Sequence, residues 1–236
     1  RSVQPRRAIA LLLLLLPLTV GAQTVRDLWL SMPPSLAPYL NTSLRTQCLD
    51  FYDMHTDAQT DNALKGKSRI DTLTSTFLAA TLSKAHTLQM KLLPASGSGS
   101  GSASGSASGL GSSMVSGSGS SSSLSSCASV LCVVRSWDGP KRDSEVQLFD
   151  RQWKPLQAPL TFSADSFVCR PDTMSEERFS RLVAMLDPIM FSVSLSPAEN
   201  VLLVKLSPIV PNPEDEKAIE QILVQRKLKW DGKTFK

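Results

Sequence analysis

Apolar positions recur along this chain with two different periods, and each period predicts a different element. Thr24 with Asp27, a weaker relative of the capping box, precedes Leu28 and Trp29 and marks a short helix that Pro33-Pro34 stops. Asn41 caps a second helix, with Leu44, Cys48 and Phe51 on one face. The period then changes to two. Thr- and Leu-rich sequence from Arg69 to Leu82 predicts short strands. His86, Leu88, Met90 and Leu92, alternating with Thr87, Gln89 and Lys91, predict a strand with one buried and one solvated face. Val130, Cys132 and Val134 begin another strand. Trp137-Asp138-Gly139-Pro140 reads as a turn, and Val146 to Trp153 as the returning strand.

Helical spacing returns near the C-terminal third. Thr173 and Glu176 predict a capping box ahead of Phe179, Leu182, Val183 and Leu186, a single apolar face that Asp187-Pro188 ends. Ile189 to Leu195 and Val201 to Ser207 predict a hairpin around Pro197 to Asn200. Asn212 and Pro213 open a last helix with Glu214, Asp215 and Glu216 in its first turn, where the helix dipole favours acids, and with Ile219, Ile222 and Leu223 on its buried side. Arg226 to Trp230 alternates as a final strand. This succession predicts an α+β fold, with antiparallel sheet flanked by helices, in one domain over residues 23–236.

Two segments break the pattern. Residues 96–126 are almost wholly Ser, Gly and Ala, too poor in apolar surface to offset the entropy of ordering them, which predicts a disordered loop insertion. A coil of that length has an end-to-end distance of ~30 Å. Because strand patterns flank it, it reads as the overgrown tip of a hairpin, a tolerable insertion, rather than as an interdomain linker. Residues 1–22 carry Arg6-Arg7, an unbroken Leu11–Leu16 run and Val20-Gly21-Ala22. A basic start, a short apolar core and a small-residue exit predict a signal peptide cleaved after Ala22. The apolar stretch is shorter than the ~20 residues of a membrane helix. The expected location is therefore periplasmic or secreted, with no stable membrane span after cleavage.

Export changes how charge and cysteines are read. The formal net charge of +4 falls to about +1 once Arg1, Arg6 and Arg7 leave with the leader, so nothing demands an anionic partner. Cys48, Cys127, Cys132 and Cys169 allow two disulfides in three connectivities. Cys48 and Cys132 sit in core patterns, which leaves Cys127–Cys169 as the favoured pair. No C-x-x-C pair exists for a zinc site.

Candidate chemistry is sparse. Gly66-Lys67-Ser68 resembles the end of a phosphate loop, but position 61 is Asp where the required Gly would stand. Asp50, Asp53, His55, Asp57 and Asp61 form the densest polar cluster and could hold a divalent cation, although a calcium loop's central Gly and terminal Glu are missing. Only His55 and His86 are available as a hydrolase base; His86 sits in strand alternation, and no G-x-S-x-G elbow occurs. Arg226, Lys227, Lys229, Lys233 and Lys236 with Trp230 and Phe235 suggest a basic aromatic surface, or the ordinary charged face of an edge strand. Trp137-Asp138-Gly139 recurs as Trp230-Asp231-Gly232, which similar turns after two strands explain more cheaply than duplication.

Ala22 to Leu28, Ser31-Met32-Pro33, Asp50-Phe51-Tyr52-Asp53, Gly66-Lys67-Ser68, Met90 to Pro94 and Cys132 to Pro140 occur in an order that resembles a domain-of-unknown-function family of small exported proteins from Bacteroidales. The resemblance implies one exported α+β unit with the Ser/Gly tract as an insertion, and brings no activity, so no catalytic, cofactor-binding or metal residue is assigned. The expectation is a non-enzymatic binding module for an envelope component or extracellular macromolecule, with no cofactor and no nucleic acid. Alternatives are a hydrolase, metal-dependent or other, using the Asp53/His55/Asp57 segment, and a carrier of a small apolar ligand.

Overall fold

A computed structural model describes residues 23–95, 129–210 and 212–236. The predicted leader, the Ser/Gly tract and Cys127 lie outside the described residues. Helix α1 (Val25–Ser31) begins at the expected capping box: Asp27 Oδ2 accepts from Thr24 N at 2.7 Å, and Asp27 N donates to Thr24 Oγ1 at 3.4 Å. Asn41 caps α2 (Thr42–Asp53) through Leu44 N. The strands β1 (Thr60–Asp61), β2 (Lys67–Leu73), β3 (Phe77–Ser83), β4 (His86–Leu93), β5 (Val130–Asp138) and β6 (Arg142–Phe149) form one antiparallel meander in sequence order. Leu93 pairs with Val130, so the segment containing the Ser/Gly tract joins two neighbouring strands.

A second antiparallel sheet has β7 (Phe191–Leu195), β8 (Val201–Leu206) and β9 (Arg226–Lys229), interleaved with α3 (Glu176–Ala184) and α4 (Pro213–Glu220). The fold is α+β, as the periodicities predict.

The six-stranded sheet separates two cores. On one face, Leu78, Ala80, Leu88, Met90, Leu131 and Val133 meet the α1 and α2 side. Leu28 and Trp29 are fully buried there, each burial stabilising by about 1.5–3 kcal/mol. Trp29 Nε1 donates to Arg45 O at 3.0 Å, and the buried Arg45 guanidinium donates to Met32 O just beyond α1, so one charged side chain holds the two helices together. On the other face, Cys132, Val134, Val146 and Leu148 meet Val193, Leu202 and Val204 of the second sheet.

The strand predicted to be half solvated is covered on both faces at its C-terminal end. Gln89 Oε1 accepts from Leu195 N at 2.7 Å, Ser144 Oγ from Val193 N at 3.1 Å and Asp143 Oδ1 from Phe191 N at 3.3 Å. Alternate amides of β7 are thus satisfied by side chains of the larger sheet, which closes an edge that would otherwise be free to pair. Lys91 completes the junction. Its ammonium donates to Ser196 O, Pro197 O and Glu199 O at 2.6, 3.0 and 2.7 Å, using all three donors on the turn after β7.

Several boundaries differ from the sequence expectation. Ser175, not Thr173, caps α3, because Met174 N bonds to Pro171 O in a preceding turn and the Met174 side chain enters the core. Trp137 and Asp138 belong to β5, and the turn falls at residues 139–141. The returning strand is Arg142–Phe149; Asp150 Oδ1 accepts from Gln152 N and Lys154 N to make a turn in which Trp153 has φ 65° and packs edge-on to Phe149. The last strand ends at Lys229, and Trp230 forms a bridge with Phe235 instead. Gly232 has φ 98° and Gly139 has no positive φ, so the two Trp-Asp-Gly segments do not share a turn.

Candidate functional site

The acidic segment singled out in the sequence is the C-terminal end of α2 and the loop after it. Met54 is the C-cap and His55 adopts φ 51°, which turns the chain away from the helix. This reversal splits the candidate triad. Asp53 forms an ion pair with Arg26 of α1, which raises the Arg26 pKa. His55 and Asp57 instead line a concavity of about 360 Å³ with Cys48, Tyr52, Arg69 and Asp71. Among the described residues, no group of three or more His, Cys, Asp or Glu is placed to hold a metal ion. Cys48 is buried, and burial raises its thiol pKa, the direction opposite to that of an activated nucleophile.

The other face of β2 carries a larger feature. The second sheet packs on β4, β5 and β6, and its cover ends at Phe77 and Ala79 of β3. Strand alternation turns Ser68 and Ile70 inward, leaving Lys67 and Arg69 exposed on the uncovered face. Beside them the 62–66 loop and the β3–β4 turn raise two walls around a groove of about 610 Å³. Lys65, Lys67, Arg69 and Lys84 are its charged residues, and no carboxylate lines it among the described residues. Lys67 pairs with Asp61 at 2.6 Å and Arg69 Nε with Asp71 at 2.7 Å, whereas Lys65 and Lys84 take part in none of the ion pairs among the described residues. Gln59, Thr81 and Ser83 add neutral hydrogen-bonding groups, and Leu64 on the rim is 67% exposed.

One buried amide fixes the groove wall. Asn62 Nδ2 donates to Leu82 O at 2.8 Å and Ser68 Oγ at 3.1 Å, while its Oδ1 accepts from Leu64 N and Gly66 N, both at 3.0 Å. Lys65, held at φ 59° between them, donates its backbone N–H to Asn62 O at 2.9 Å. A Cβ at Gly66 would stand 3.2 Å from Asn62 Nδ2, so the close approach of the loop to its own brace depends on glycine. The fragment Gly66-Lys67-Ser68, read in sequence as an accidental phosphate-loop match, is the start of this arrangement. Asn62 carried no pattern that would have flagged it.

His86 lies on the face of β4 that turns toward α1 and the first core. Its Nδ1 is hydrogen-bonded to the Tyr39 hydroxyl, its ring stacks on Trp137 at 5.3 Å, and Arg135 lies 5.4 Å from the Trp137 centroid while pairing with Glu145. Burial first, then the Arg135 charge, lowers the His86 pKa, and burial pushes the Tyr39 phenol up to about 12. His86 Nε2 is buried without a hydrogen-bond partner among the described residues. A base in this position is enclosed by aromatic rings, and the hydroxyl it meets is a phenol whose ionisation burial disfavours.

The C-terminal basic stretch is not the aromatic platform its sequence suggested. Trp230 Nε1 donates to Pro94 O, and Trp230 and Phe235 pack against the second core. Lys227 pairs with Glu199 and Lys236 with Asp231, whose carboxyl pKa is lowered by that contact and by the Thr234 and Lys233 amides. Cys132 is a buried free thiol whose pKa burial raises, and Cys169 is exposed and free among the described residues; the favoured partner of Cys169, Cys127, lies outside them.

The fold has a known counterpart. The structure of a domain of an uncharacterized protein from Porphyromonas gingivalis W83 matches with a TM-score of 0.61 and 20% identity, over 90% of this chain and 98% of that one. No curated protein matches. A family model described as "Protein of unknown function (DUF3256)" matches residues 17–100 and 122–235, passing over most of the Ser/Gly tract. With matches on both sides of that tract and a shared fold from one of the Bacteroidales, the chain belongs to this family of unknown function.

Proposed function

We propose that the protein is an exported, non-enzymatic binding module, periplasmic or secreted, that holds an envelope component or extracellular macromolecule in the groove beside β2. The observation that carries this reading is the uncovered half of the large sheet, where four cationic side chains line a concavity of about 610 Å³ next to a loop braced by Asn62. That volume falls within the ~300–1,000 Å³ usual for ligand sites. The leader-like residues 1–22 support export. Intact-mass analysis of native protein should find Gln23 as the first residue.

The test is binding of labelled protein to isolated cell envelopes. Saturable binding that Lys65→Glu/Lys84→Glu abolishes supports the groove; saturable binding unchanged by that pair sinks it. The hydrolase alternative draws support from His55 and Asp57 sharing one concavity. It requires His55→Ala and Asp57→Ala to change metal content or turnover. The apolar-carrier alternative is poorly matched to concavities with charged walls at both α2 and β2.

A further inference from the structure

Resting on that reading, we infer that the occupant of the β2 groove is an anionic glycan: a sugar chain bearing carboxylate or sulfate groups. Three features of the groove select this chemistry. Charge comes first, since Lys65 and Lys84, outside every ion pair among the described residues, stand beside the paired Lys67 and Arg69 and leave the groove with an excess of positive charge that concentrates anions. The manner of presentation comes second. Arg69 Nε is committed to Asp71 Oδ1, and Asp71 Oδ2 accepts from Thr81 Oγ1, so the one guanidinium is anchored at its Nε side and offers a ligand only its Nη groups. The remaining charges are lysines, point cations on flexible stems, spread over the 62–66 loop, the start of β2 and the β3–β4 turn. Such an array suits charges distributed along a polymer.

The third feature is what lies between the charges. Thr81 retains hydroxyl lone pairs after donating to Asp71, Ser83 and Gln59 offer neutral donors and acceptors, and Leu64 gives the rim an exposed apolar contact. Sugar hydroxyls and the apolar face of a sugar ring match these groups. The Asn62 brace holds the Lys65 wall before any ligand arrives, which lowers the ordering cost of binding.

Isothermal titration of the purified full-length protein with polygalacturonate oligomers, dextran sulfate, neutral malto-oligomers and an oligo-dT strand tests the assignment. Expected is saturable binding of a carboxylated or sulfated glycan that weakens with salt, with no binding of the neutral chain. Which of the two anionic glycans binds identifies the acid group. Lys65→Glu/Lys84→Glu should weaken binding by about tenfold or more, with Lys65→Gln/Lys84→Gln intermediate, while Lys229→Glu/Lys233→Glu, in β9 and the turn after it, leaves it unchanged. Equal binding of neutral malto-oligomers, equal binding of oligo-dT, or indifference to the charge reversal at Lys65 and Lys84 each overturns it. If neither anionic glycan binds while envelope binding still depends on Lys65 and Lys84, the glycan assignment fails and the groove survives. If envelope binding ignores those lysines, the groove itself fails.

Discussion

The two halves of the large sheet follow the same alternating rule and end differently. In β4 to β6, polar side chains on the outward face meet a second sheet. In β1 to β3, they meet solvent. Lys91 and Lys67 make the contrast concrete. Both are lysines on outward strand positions. Lys91 is 2% exposed and gives all three protons to the carbonyls of one turn, whereas Lys67 shares an exposed ion pair with Asp61. The same residue type is a structural clamp in one half and a candidate ligand contact in the other. A site is therefore sought where the second layer stops.

The contrast is broken most sharply by Lys91→Ala. It removes three charge-assisted hydrogen bonds made by a buried side chain, so unfolding stability in urea should fall by about 3 kcal/mol. A loss below about 0.5 kcal/mol would show that the clamp is dispensable. Next in size is Asn62→Ala, which strips the groove wall of its brace and leaves the Leu64 and Gly66 amides without their acceptor, while Ser68 still donates to the Leu82 carbonyl. About 2 kcal/mol of destabilisation is expected, together with protease sensitivity at residues 62–66.

A smaller effect depends on pH. Burial holds the His86 pKa below its ordinary 6.5, so the unfolded chain takes up the proton first as pH falls. Stability present above pH 6.5 should decline as pH drops through the lower folded pKa and then level off. Denaturation midpoints measured across this range should lose that component in His86→Gln. An unaltered profile in the variant would assign the acid sensitivity elsewhere. Smallest of all is Lys67→Ala, expected to move stability by no more than about 0.5 kcal/mol, because its ion pair is solvent-exposed. A large loss there would erase the distinction between the two halves.

The helix starts at Thr24 and Asn41 and the pairing of β4 across the Ser/Gly tract are short-range consequences of capping and alternation, and they were legible. The α3 start was misplaced because two hydroxyls, Thr173 and Ser175, offer cap chemistry within three residues, and only the burial of Met174 chooses between them. Trp153 was assigned to a strand since its apolar character fits one, but Asp150 makes a turn that delivers it to α1 and Phe149. In the acidic segment, the spacing of Asp53, His55 and Asp57 was visible, whereas the reversal at His55 that separates Asp53 from the other two was not.

The order of helices and strands, the antiparallel meander and the family were set by local chemistry that a linear reading can follow, because caps and apolar periodicity act over a few residues. How far the second sheet extends over the first was decided only in three dimensions. It depends on contacts between segments about one hundred residues apart, such as Lys91 with Ser196 and Gln89 with Leu195. The limit of that cover makes Lys91 a buried clamp and leaves Lys65 and Lys84 without an ion pair among the described residues, beside an open groove, since alternation places polar side chains on a face without specifying what that face will meet.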